Sequence, residues 1–124
     1  MIKISNVAYS YTKKNTVYRD LNFELTKPGV YGLLGSNGSG KSTLLKLIAG
    51  LLFAKRGEVT VLGLPARKRW PEVLAQISFV PEEFHFPDIN AIEMEKYQGH
   101  LYPKFSATDF YKLRLPYEVQ HLMS

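Results

Sequence analysis

Apolar and polar residues alternate through the start of the chain. Ile2, Ile4 and then Val7, Tyr9 and Tyr11 take turns with polar neighbours, which predicts an edge strand with one buried face. A basic turn follows. The stretch TVYRDLNFEL alternates again through Val17, Leu21, Phe23 and Leu25, predicting the second strand of an antiparallel pair that TKPG closes off as a turn. VYGLL, residues 30–34, is different: a short unbroken apolar run between turn residues predicts a strand buried on both faces in a parallel sheet. KSTLLKLIAGLL then carries leucine or isoleucine at 44, 45, 47, 48, 51 and 52, so a helix apolar almost all round, and buried, is expected, with Gly50 weakening its last turn. GEVTVLG (57–63) and AQISFVP (75–81) are β-branched runs with Gly or Pro at their edges and predict strands, with a loop and a short helix between them. Beyond Pro81 the character shifts. Ile92, Met94, Tyr97 and Leu101, then Phe110 and Leu113, predict short helices split by Pro87, Pro103 and Pro116.

Bulk properties narrow the class more than the function. The 124 residues, 45% hydrophobic and 22% charged, fit a single soluble domain with one modest core. No apolar run nears the roughly 18 residues that span a bilayer. The start MIKISNVAYS lacks a secretory apolar core, so a cytoplasmic chain is expected. The absence of cysteine excludes disulfides, thiolate metal sites and a cysteine nucleophile. A net charge of +5 raises nucleic acid as a partner, but the clusters at Lys13, Lys14 and Arg67 to Arg69 have no interleaved aromatics and read as solvated loops.

The chemistry sits in GLLGSNGSGKST. Gly35, Ser36, Asn37, Gly38, Ser39, Gly40, Lys41 and Ser42 fit the pattern G-x-x-x-x-G-K-[ST] at every fixed position. A chance match in a chain this long is on the order of one in a few hundred. Glycines let successive N–H groups turn toward a polyphosphate, and the following helix adds its N-terminal partial positive charge. Lys41 then puts a compact cation at the β- and γ-phosphates, Ser42 a hydroxyl on Mg²⁺, and Thr43 a contact to the α-phosphate.

With these residues in place, the sequence resembles the ATP-binding subunits of ABC transporters. The resemblance implies an α/β P-loop NTPase with a RecA-like strand-loop-helix core. Residues 1–83 would be the nucleotide-binding region with its N-terminal antiparallel β-subdomain, and 84–124 the beginning of a helical subdomain, the whole being truncated. It also implies that Tyr11, upstream in YSYTKKNTVYRDL, stacks on adenine, with Tyr9 and Tyr18 as competing choices. ISFVPEE resembles the strand entering the family's Q-loop, where Glu82 replaces glutamine. Its carboxylate can accept from metal-bound water but cannot donate as an amide does, and a surface glutamate is the alternative. The implied cofactors are ATP and Mg²⁺, with Ser42 and Glu82 on the metal. The implied partners are a transmembrane subunit and a second ATP-binding subunit, with the chain peripheral to the inner face of the plasma membrane.

The resemblance stops early. FSATDFYKLRLPYEV is similar to the helical subdomain just before the family's signature loop, yet no SGG follows, Gly99 is the last glycine, and no run of four apolar residues ends in Asp-Glu. His85, His100 and His121 follow no late strand and read as surface residues. ATP hydrolysis is the family's reaction, but no catalytic residue is assigned in this chain. Mg-ATP binding as part of a transport ATPase is the leading reading. A non-hydrolysing ATP-binding module is the second, and a nucleic-acid-linked ATPase of the same superfamily the third. The sheet would lack later strands, so the isolated chain is expected to be marginally stable or prone to aggregate.

Overall fold

The computed structural model describes residues 1–82, 91–102 and 104–113. It divides into two compact units, residues 1–79 and 80–124. In the first, β1 (Ile2–Ser10), β2 (Thr16–Leu25), β3 (Arg56–Val61) and the short β4 (Leu64–Pro65) form one sheet in the order β2-β1-β3-β4, with every neighbouring pair antiparallel. The hairpin of β1 and β2 is as the alternation predicts. The position of β1 is not: it lies inside the sheet rather than at its edge, because β3 pairs along its other side.

A single residue keeps the buried face of β1 continuous. Between Ile4 and Val7 the register with β2 slips, and Asn6 sits there in the left-handed region at φ 49°. An inserted residue reverses the phase of the alternation, so Ile4 and Val7 both point into the core, at 2% and 0% exposure. Asn6 is held in place by β2: its backbone N–H donates to Asn22 Oδ1 at 2.9 Å and its side-chain amide to Asp20 Oδ1 at 3.1 Å.

Helix α1 (Lys41–Ile48) lies against this sheet. Leu44 and Leu47 join Ile4, Val7, Tyr9, Val59, Val61, Ala66 and Val73 in the core. Leu45 stays 48% exposed, so α1 is buried along one face and not all round as its composition suggests. The sheet covers that face alone, and a helix stripe is buried only where a second layer meets it. The helix closes in a Schellman arrangement: Gly50 N–H donates to Leu47 O at 3.1 Å and Leu51 N–H to Lys46 O at 2.8 Å, with Gly50 at φ 66°. A Cβ on Gly50 would lie 2.5 Å from the Ala66 carbonyl oxygen, so glycine is required as well as preferred there. Beyond β4, a 3-10 turn (Ala66–Lys68) and the one-turn helix α2 (Pro71–Leu74), with proline at its first position, fill the connection that was expected to hold a short helix.

Two predicted strands are not formed. Residues 30–34 are without strand pairing, and Val30 and Leu34 are almost fully exposed, at 105% and 94%. Residues 75–81 are likewise irregular, and Val80 is 74% exposed. A strand of a parallel sheet needs ladder partners on its edges and helices on its faces. The four strands of this unit spend their pairing on one another, so neither apolar run finds a partner among the described residues.

The second unit contains α3 (Ala91–Gln98), a 3-10 turn (Gly99–Leu101) and a helical stretch over residues 107–113. Ser106 starts that stretch, its hydroxyl accepting from the Asp109 N–H at 3.2 Å, an N-cap bond. Phe105 packs on Phe110 with ring centres 5.7 Å apart. The short helices read from Ile92, Tyr97, Phe110 and Leu113 are therefore present, while Pro87, Pro103, Pro116, His85 and His121 lie outside the described residues.

Candidate nucleotide-binding site

The end of β1, the start of β2, the loop 35–40 and the first turn of α1 converge on one place. Gly40 is the N-cap of α1 at φ 99° and offers no side chain to the helix's free amides. No acidic residue stands in the first turn. The opening amides of α1 have no intrahelical acceptor and keep their partial positive charge for an anion. A Cβ on Gly40 would lie 2.6 Å from Val17 Cγ1 and 2.7 Å from the Tyr18 hydroxyl, so the loop can seat against β2 only with glycine here.

Lys41 folds back over the loop. Its ammonium donates to the carbonyl oxygens of Gly35 and Ser36, both at 2.8 Å, which holds the cation at the mouth of the cradle. Carbonyl groups solvate an ammonium more weakly than phosphate oxygens do, so the charge remains available to an anionic ligand. The Ser39 N–H donates to Ser36 O at 3.2 Å and closes the loop's turn, with Gly38 at φ 80° inside it. Ser42 is exposed at the first turn. Thr43 is buried, and its hydroxyl lies 2.9 Å from that of Tyr11. That bond joins the end of the first hairpin strand to the first turn of α1.

The three tyrosines separate by environment. Tyr9 is inside the core at 8% exposure, and Tyr11, at 51%, stands edge-on to it with ring centres 5.1 Å apart. The Tyr18 hydroxyl donates to Gly40 O at 2.8 Å. Of the three candidates for a base platform, only Tyr11 combines an exposed ring with a contact to the loop's helix. Burial pushes the Tyr9 and Tyr18 phenols above the ordinary tyrosine range, and the nearby Tyr11 adds to both shifts. The hydrogen bond from Tyr18 to Gly40 was not legible in the sequence, where Tyr18 stood only as a competing base-stacking residue.

The structure thus brings together Tyr11, Gly35, Ser36, Asn37, Gly38, Ser39, Gly40, Lys41, Ser42 and Thr43. Glu82 belongs to the second unit and is exposed. His100 is exposed in the 3-10 turn after α3, as a surface histidine should be. Lys13, Lys14 and Arg67 to Arg69 are exposed turn residues, and Arg69 donates to Gly50 O at 3.2 Å. Among the described residues no group of three His, Cys, Asp or Glu could hold a metal by itself, and no helix is long and apolar enough to cross a membrane.

Comparison with known proteins agrees with this geometry. The family model described as ABC transporter matches residues 18–122. The linearmycin resistance ATP-binding protein LnrL of Bacillus subtilis is 35% identical over 103 residues, 82% of this chain and 33% of that protein. The ABC transporter ATP-binding protein YtrB of the same species is 34% identical over 106 residues, 85% of this chain and 36% of that one. A solved ATP-binding subunit of an ABC transporter superposes with a TM-score of 0.70 at 24% identity, covering 94% of this chain and 48% of its own. The chain spans about a third of the length of the curated relatives it matches. Its fold, its phosphate loop and these matches place it in one family: the chain belongs to the ABC transporters and corresponds to the N-terminal portion of their ATP-binding subunit.

Proposed function

We propose that the loop 35–43 binds Mg-ATP, and that the chain acts as the nucleotide-binding part of an ABC-type ATPase coupled to transmembrane subunits and to a second ATP-binding subunit. One observation carries the reading: the Lys41 ammonium is held by Gly35 O and Ser36 O beside the uncapped start of α1. A fixed cation next to a row of free amides is a polyphosphate site in charge and in shape. The loop and α1 amides would bind phosphate oxygens, Lys41 the β- and γ-phosphates, the Ser42 hydroxyl Mg²⁺, and the exposed ring of Tyr11 the adenine. The bound Mg-ATP supplies the phosphoryl group whose hydrolysis drives the family's transport cycle. These residues bind and orient, and hydrolysis belongs to the assembled transporter.

The test is a calorimetric titration of the chain with Mg-ATP beside a phosphate-release assay. Saturable binding with background phosphate release is the expected result for the chain alone. No saturable binding would overturn the reading.

A further inference from the structure

Resting on the nucleotide-binding reading, we infer that Tyr18 is a positioning residue for the phosphate loop, its phenol fixing the peptide that joins Gly40 to Lys41. The Gly40 carbonyl oxygen accepts two bonds, from the Leu44 N–H at 2.9 Å and from the Tyr18 hydroxyl at 2.8 Å. The first is the ordinary opening bond of the helix. The second comes from outside the helix and ties the carbonyl to β2.

No peptide bond in the described chain is cis. In a trans peptide the carbonyl and the following N–H point in opposite directions, so an oxygen anchored by Tyr18 aims the Lys41 N–H away from β2. That amide is one of the free donors at the start of α1, where a phosphate would sit. Gly40 at φ 99° is the most permissive residue type at the hinge of that peptide, and without a second anchor it would leave the amide free to rotate out of line. Val17 closes in on the same residue, its Cγ1 2.6 Å from where a Gly40 Cβ would lie, so only glycine fits the seat. Tyr18 itself is half-buried and need not touch the nucleotide.

The test compares Tyr18→Phe with the wild-type chain by calorimetry against Mg-ATP, Mg-ADP and adenosine, with the folded fraction read by circular dichroism. A positioning role predicts Mg-ATP and Mg-ADP affinities lowered about fivefold, in the range one neutral hydrogen bond supports, and an unchanged affinity for adenosine. Equal loss for all three ligands would show a merely structural role and overturn the inference, as would no loss for any. A wild-type chain that binds no Mg-ATP would overturn the inference together with the function it rests on. A phenylalanine chain that does not fold, by circular dichroism, would make the hydroxyl a structural group and overturn the inference as well.

Discussion

The hydroxyls of Tyr11 and Thr43 lie 2.9 Å apart, so the exposed aromatic beside the hairpin turn is tied directly to the first turn of the phosphate-loop helix. The proposed stacking on adenine would use the ring and this bond uses the hydroxyl, so substitution can separate the two. Tyr11→Phe keeps the ring and should change adenosine-nucleotide affinity little. Tyr11→Ala loses the ring and should weaken it by about 1–3 kcal/mol, the worth of one base on one aromatic. Calorimetry on the pair checks this, and equal affinities for the two variants would remove Tyr11 from the adenine site.

Gly50 makes a prediction about stability alone. Its φ of 66° and the 2.5 Å approach of the Ala66 oxygen leave no room for a methyl group. Gly50→Ala should destabilise the chain by more than about 1 kcal/mol, the usual scale for a side chain forced into that backbone region. Urea denaturation followed by circular dichroism measures it.

The pH dependence follows from Tyr9 and Tyr18. Both phenols are pushed up from 10.0 by burial, then by Tyr11, so the folded chain holds these protons at a pH where the unfolded chain has released them. Their contribution leaves stability unchanged below the unfolded value of about 10 and lowers it as pH rises through that value toward the folded ones. Melting temperatures between pH 8 and 11 should fall above pH 10, and fall less steeply for Tyr9→Phe. Identical slopes for variant and wild type would contradict the assignment.

Val30 and Leu34, almost fully exposed on an unpaired apolar run, predict association. Val30→Lys should raise the monomeric fraction in analytical ultracentrifugation without lowering the melting temperature, since no packing is removed. A lowered melting temperature would show that the run is buried in the folded chain.

Local patterns were legible in the sequence where the chain itself supplies the partner. The hairpin of β1 and β2 could be read because both strands lie within the first 25 residues and need only each other. The change from Ile2 and Ile4 to Val7 and Tyr9 was visible too, but its cause, the bulge at Asn6, depends on pairing geometry that alternation does not encode. The runs at 30–34, read as a buried strand, and 75–81, read as a strand, were misjudged because composition reports what a segment would bury, not whether a neighbour is there to pair with it. The same limit applies to α1, whose Leu45 faces no second layer. At the site, G-x-x-x-x-G-K-[ST] placed Gly35 to Ser42 at once, since the spacing is the mechanism. The Tyr18 bond to Gly40 spans 22 positions and two elements, and no spacing announces it.

Lys41 and the loop it closes are proposed to hold the phosphates of ATP. Titration of the wild-type chain and of Lys41→Ala with Mg-ATP tests it most directly. Saturable binding by wild type is expected, with a loss of at least about tenfold in the variant, on the scale of one charge-assisted contact. Equal affinity in the two chains would contradict it.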